Sequence, residues 1–138
     1  MKKTIIASTL ALAVLLGGNV SAFAAAPTPA QVVDRVDGAY NKIMNVMNRL
    51  NTLSGKLTAH GIDATSLNTA LSDVAVKRQA AELALTTFKN DYVAAGNTYN
   101  ATVKADLVNV KTALTAFKNS AKTARDTAKA LVTAAKAQ

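Results

Sequence analysis

The chain has 138 residues, half of them hydrophobic, 4% aromatic and 17% charged. That length suits a single domain, and the apolar content excludes an intrinsically disordered chain while leaving the core to aliphatic side chains and alanine. Sixteen basic residues against eight acidic ones give a formal charge of +8, which favours acidic partners and says nothing of fold. Cysteine is absent, which excludes disulfides, thiol nucleophiles, thiolate metal sites and a lipid-anchored N-terminal cysteine.

The first segment reads as an export address. Met1-Lys2-Lys3-Thr4 is a short positive start, Ile5 to Leu16 is an apolar run, Gly17-Gly18 breaks it, and Ala22 and Ala24 are the small residues of a cleavage site. This is the pattern of a secretory signal peptide over residues 1–24, leaving a single helical domain over 25–138. Without a twin arginine, the general secretory route is expected, with a periplasmic or extracellular destination. Once Lys2 and Lys3 are removed, 14 basic residues face 8 acidic ones, a charge of +6. The competing reading keeps the segment as a membrane anchor. Its extension to Ala26 is a marginal span, interrupted by two glycines, Asn19 and Ser21, where about 20 predominantly apolar residues are needed. No later segment is long and apolar enough to span a bilayer.

The remainder follows heptad spacing in three segments, predicting helices over about 29–60, 64–95 and 99–136. In the first, Val32, Val36, Ala39, Ile43, Val46, Leu50, Leu53 and Leu57 form the stripe, widened by Val33, Tyr40 and Met47. Thr28-Pro29-Ala30-Gln31 is a capping box with proline in the first helical position, and Gly61 stops the helix one residue after His60. Asp34 and Asp37 lie in the first two turns, where acids are stabilised by free backbone amides. Gly38 and Gly55 fall on the outer face, at a cost of about 1 kcal/mol each relative to alanine.

The second helix begins near Asp63, expected to accept from first-turn amides, with Ile62 and Leu67 placed as a hydrophobic staple. Its stripe is Leu67, Leu71, Val74, Arg78, Ala81, Leu85, Phe88 and Tyr92. Arg78, with Glu82 one turn on, reads as a side chain whose stem lies on the core and whose head reaches water. Gly96-Asn97 closes this helix, since both residues tolerate the left-handed conformation. The third begins between Asn97 and Asn100 and carries Val103, Leu107, Val110, Leu114, Phe117, Ala121, Ala124, Ala128, Leu131 and Ala135. Its alanine-lined end buries little area and is expected to be the least stable part.

Connections of four to six residues favour antiparallel neighbours. The sequence therefore predicts an all-α, up-down-up three-helix bundle. The alternative is a helical hairpin in which the second and third helices run on through a kink at Gly96 and the molecule self-associates as a coiled coil.

Nothing in the sequence gathers catalytic chemistry. His60 is the only histidine, and a histidine in a last helical turn suits the helix dipole. The acids Asp34, Asp37, Asp63, Asp73, Glu82, Asp91, Asp106 and Asp126 are dispersed. There is no phosphate loop, nucleophile elbow or calcium loop. No enzyme activity, cofactor, metal or small-molecule substrate is expected. Asn100-Ala101-Thr102 matches a glycosylation acceptor, a short pattern that occurs often by chance.

Two surface features remain. Arg35, Lys42, Arg49 and Lys56 recur every seven residues beside the first stripe, while Lys104, Lys111, Lys118, Lys122, Arg125, Lys129 and Lys136 lie on one side of the third helix. Bundle helices often carry lysine beside the core, stem down and head wet. The functional alternative is a polyanion-binding module, a cationic rail for nucleic acid, wall polymer or anionic lipid, strongly salt-dependent and lacking aromatics for base stacking. Val76, Ala80 and Leu83 lie opposite the second stripe, as scattered surface aliphatics or as a contact for self-association or an envelope protein.

The Gly61-Ile62-Asp63-Ala64-Thr65-Ser66-Leu67 junction and the lysine–alanine third helix resemble a loose group of uncharacterised secreted helical proteins of bacteria with reduced genomes. The resemblance spans residues 1 to 136 and implies architecture and location only. Taken together, these readings predict a non-catalytic extracytoplasmic bundle serving as an envelope-associated structural or adaptor component.

Overall fold

Residues 27–137 are described by a computed structural model; the expected signal peptide, residues 1–24, lies outside them. Three α-helices follow one another: α1 Pro29–Ala59, α2 Thr65–Ala94 and α3 Ala101–Lys136. Their bounds lie within two residues of those predicted.

Each helix starts and stops for a local reason. At the start of α1, the Gln31 amide donates to Thr28 Oγ1 (3.3 Å) and the Thr28 amide donates to Gln31 Oε1 (2.9 Å), with Pro29 in the first turn. Gly61 has φ +74°, its amide donates to the Thr58 carbonyl, and the Ile62 amide donates to the Leu57 carbonyl, both at 3.0 Å. That pair of bonds is the Schellman closure, and it needs the left-handed residue that glycine supplies without a Cβ clash. The end of α2 repeats it. Gly96 sits at φ +65°, the Gly96 amide bonds the Val93 carbonyl and the Asn97 amide bonds that of Tyr92. Asn97 is itself left-handed at φ 60°, so the chain reverses here and does not run on through a kink. Asn100 Oδ1 then accepts from the Val103 amide at 2.9 Å and opens α3.

The start of α2 uses the expected acid from one position outside the cap. Its N-cap is Ala64, which offers no side-chain acceptor. Asp63, one residue earlier, accepts from the Thr65 amide at 2.9 Å, the first amide of α2, as expected of it. Ala64 is buried, and Ile62 packs against the core.

The three stripes meet in one core. Ile43, Leu67, Val74, Phe88, Val103, Val110, Leu114 and Phe117 are the largest side chains wholly removed from solvent. Leu85, Leu50 and Leu57 belong to the same core, as do Ala81, Ala121, Ala124 and Ala128. Tyr40 leans on the Phe117 ring (centroids 5.9 Å), and Tyr92 lies between Phe88 (6.3 Å) and Tyr99 (6.1 Å). Ala128 is the last buried residue of α3, in line with the weak packing expected of that end.

Cross-helix contacts fix the directions. Asp37 meets Lys89 and Ser54 meets Asn68, so α1 and α2 are antiparallel. Asp73 meets Ser120 and Asp91 lies beside Asp106, so α2 and α3 are antiparallel as well. It follows that α1 and α3 run parallel, side by side, and all three pairs of helices pack together. The fold is the up-down-up bundle. No helix among the described residues is long and apolar enough to cross a membrane.

Candidate functional site: the charged and apolar surfaces

Polar side chains that meet across helices fasten the bundle in pairs. Lys89 Nζ lies 2.6 Å from Asp37 Oδ1, so Asp37 braces α1 against α2. This corrects the expectation that it serves the first-turn amides, where no acid is found. Ser54 donates to Asn68 Oδ1 at 2.5 Å, and the Ser120 hydroxyl donates to Asp73. Both serines are buried and both were missed in the stripes, because a serine between apolar positions breaks the pattern unless its partner on another helix is known. Arg78 behaves as predicted. Its stem lies at a core position and Nη1 reaches Glu82 Oε2 at 3.7 Å. Tyr40 donates to the same Glu82, and burial followed by the Glu82 charge raises the Tyr40 pKa.

One pair of acids escaped the sequence reading. Asp91 lies three residues before the end of α2 and Asp106 five after the start of α3, and the antiparallel return brings them together. Asp106 Oδ2 is buried without a donor. Burial first, then hydrogen bonding to Asp91 and its charge, raise the Asp106 pKa above the ordinary carboxyl value. The signal was available in the similar distances of the two positions from Gly96–Asn100, once an antiparallel turn is assumed. Among the described residues no three of His, Asp or Glu gather as metal ligands.

The contact candidates Val76, Ala80 and Leu83 lie at the surface, with Val76 61% and Leu83 69% exposed. Ala80 and Leu83, with Ala84 and Thr87, line one wall of a shallow groove whose other wall is Asp106 and Asn109 of α3; Val76 lies outside it. Two further exposed aliphatics, Val93 and Val108, were not singled out from the sequence.

Of the cationic rail on α3, Lys104, Lys111, Lys122, Lys129 and Lys136 are exposed and Lys118 is half-buried. Arg125 departs from the expected wet cation. Its side chain is only 12% exposed and Nη2 lies 3.1 Å from Asp126 Oδ1, with Nε at 3.3 Å. It lies closest to the core stripe by helical phase, which explains its burial. The α3 face toward α2 is marked by Ser120, Asp106 and Asn109. At about 100° per residue the lysines lie on the opposite flank of the core stripe, the flank that borders α1. The α1 face toward α2 is marked by Asp37 and Tyr40. Arg35, Lys42, Arg49 and Lys56 lie on the opposite flank there too, which borders α3. Two cationic series that the sequence places on separate helices therefore line one seam.

Acids are distributed the other way. Asp73, Glu82 and Asp91 belong to α2, and Asp37 and Asp106 face it. Comparison with protein-family models, with curated proteins and with solved structures returns no match.

Proposed function

We propose that the protein is a non-catalytic, exported helical bundle that works through its surface, as a structural or adaptor component of the cell envelope. The observation that carries this reading is the use made of the polar side chains. Asp37 with Lys89, Ser54 with Asn68, Ser120 with Asp73, and Glu82 with Tyr40 each tie one helix to the next. Groups spent as braces are fixed by partners and are not gathered around a space where a substrate could sit. Export is supported by the signal-like residues 1–24, and retention at the envelope by the excess of basic residues. The exposed aliphatics Val76 and Leu83 offer a second contact on the α2 face.

Cell fractionation with light scattering on the secreted form tests this reading. Recovery of the processed chain outside the cytoplasm, with self-association or retention in the envelope fraction, is the expected result. A cytoplasmic chain, or a strict monomer recovered free of the envelope, contradicts it.

A further inference from the structure

We propose that the seam between α1 and α3 is a binding track for a linear, base-free polyphosphate chain laid along the bundle axis. This rests on the reading above that the protein acts through its surface, and names the class of partner. Lys42, Arg49 and Lys56 from α1 and Lys104, Lys111, Lys118, Lys122, Lys129 and Lys136 from α3 flank the same seam, because the two helices run parallel and each turns its cation-bearing flank toward the other.

The geometry selects a linear occupant. Cations seven residues apart are about 10.5 Å apart along a helix, and Lys104 to Lys136 spans about 48 Å. Two parallel rows of this pitch border one line, so a chain laid along the seam meets cations from both sides over its whole length. The membrane alternative lacks the large apolar side chains that hold an interfacial helix in a bilayer. Base stacking is disfavoured as well. Tyr40, Phe88, Tyr92, Tyr99 and Phe117 pack among themselves in the core or toward α2, and single-strand binders use exposed aromatics for this.

Charge distribution gives the second support. Two rows of like charge along one seam raise the energy of the folded state, and nearby acids could relieve it. Five of the eight acids instead lie on α2 or face it; of the other three, Asp63 lies in the α1–α2 turn, Asp34 on α1, and Asp126 beside Arg125 on α3. The seam thus keeps a concentrated positive field of the kind that captures an extended polyanion and releases its counterions.

The test uses protein expressed from the full sequence, with long-chain inorganic polyphosphate as the probe and fluorescence anisotropy read across a salt series. Two row variants each lose three positive charges: Lys42→Gln with Arg49→Gln and Lys56→Gln, and Lys111→Gln with Lys122→Gln and Lys129→Gln. A third variant changes the net charge equally on the outer face of α2, by Gln79→Glu, Thr86→Glu and Asn90→Glu. Circular dichroism checks that all remain helical.

Polyphosphate should bind with a steep salt dependence. Each row variant should weaken binding at least about tenfold and reduce the log–log salt slope by about 2, at roughly 0.7 per lost contact, while the α2 variant stays within about threefold of the parent. Equal losses in all three variants would reduce the effect to net charge and overturn the track. Row variants that bind as the parent does, or tighter binding to a single-stranded oligonucleotide or to anionic vesicles at equal charge, overturn it too. If polyphosphate fails to bind but the chain still self-associates or is retained in the envelope, the track falls and the adaptor reading stands.

Discussion

Removing the Phe117 ring should cost the bundle a large part of its stability. Phe117 is wholly buried in α3, and its ring meets that of Tyr40 on α1, so it ties together two helices that no short loop connects. A buried aromatic hides about 150–250 Å², which at about 25 cal/mol per Å² is roughly 5 kcal/mol of transfer free energy. Part of that is retained by alanine, and part is added back as the cost of the cavity. Measured Phe→Ala changes in cores accordingly fall at about 3–5 kcal/mol. A domain of this size has on the order of 5–15 kcal/mol in all, so Phe117→Ala should lower the urea midpoint sharply and can unfold the chain outright. Phe117→Leu keeps most of the apolar fill and should lose less, which preserves a measurable transition. Urea melts followed by circular dichroism read both, with Val108→Ala, at an exposed site on the same helix, expected within about 0.5 kcal/mol of the parent. Equal, small effects of Phe117→Ala and Val108→Ala would refute the core described above.

Other outcomes follow from particular residues. An added Cβ at Gly55 meets open space, so Gly55→Ala should raise stability by about 0.5–1 kcal/mol in the same assay; a loss would mean that something covers that face. Ser120→Ala leaves Asp73 without its buried donor and should cost about 1 kcal/mol, readable by thermal melting. The raised pKa of Asp106 means that folding favours its protonated form. Its contribution is complete below the ordinary carboxyl value and is lost as pH rises through the folded pKa. Asp106→Asn should flatten the decline in urea stability on raising the pH from that value upward. Asp63 has the opposite sign. Hydrogen bonds from Thr65 lower its pKa, so its contribution is present above the ordinary carboxyl value and is lost as pH falls through the lowered one. Asp63→Asn should therefore remove part of the acid sensitivity, measured as urea midpoints from neutral pH downward. Because two cationic rows share one seam, moderate sodium chloride should raise the urea midpoint by screening them; a fall would contradict their proximity.

The helices were legible because each carries its own punctuation and its own stripe. Thr28 with Gln31, Gly61, Gly96 and Asn100 are local devices, and local devices can be read from neighbours in sequence. Val36, Ile43, Leu67, Leu85, Val110 and Leu114 repeat at the spacing of a buried face and are buried. What the sequence withheld depends on a second helix. Ser54 and Ser120 are core residues only because Asn68 and Asp73 face them. Asp37 belongs to Lys89, 52 positions away, a partner no local rule supplies. Ala64 stands at the N-cap of α2 with its side chain buried, and the neighbours that bury it are set by the fold. The seam shows the same division. Helical phase places Lys42 and Lys118 beside their own stripes, but which neighbour each flank borders depends on how the three helices are arranged around the core.

The arrangement of α1 beside α3 can be measured directly, since the chain has no cysteine of its own. Spin labels at Lys42→Cys and Lys118→Cys, read by pulsed electron resonance on the folded protein, report that distance. Parallel neighbours with axes about 8–10 Å apart predict a narrow distribution below about 30 Å. A hairpin in which α2 ran on into α3 would carry position 118 some 37 residues past its level beside position 42, about 55 Å at 1.5 Å per residue. A distribution centred there would contradict the bundle and the shared seam together.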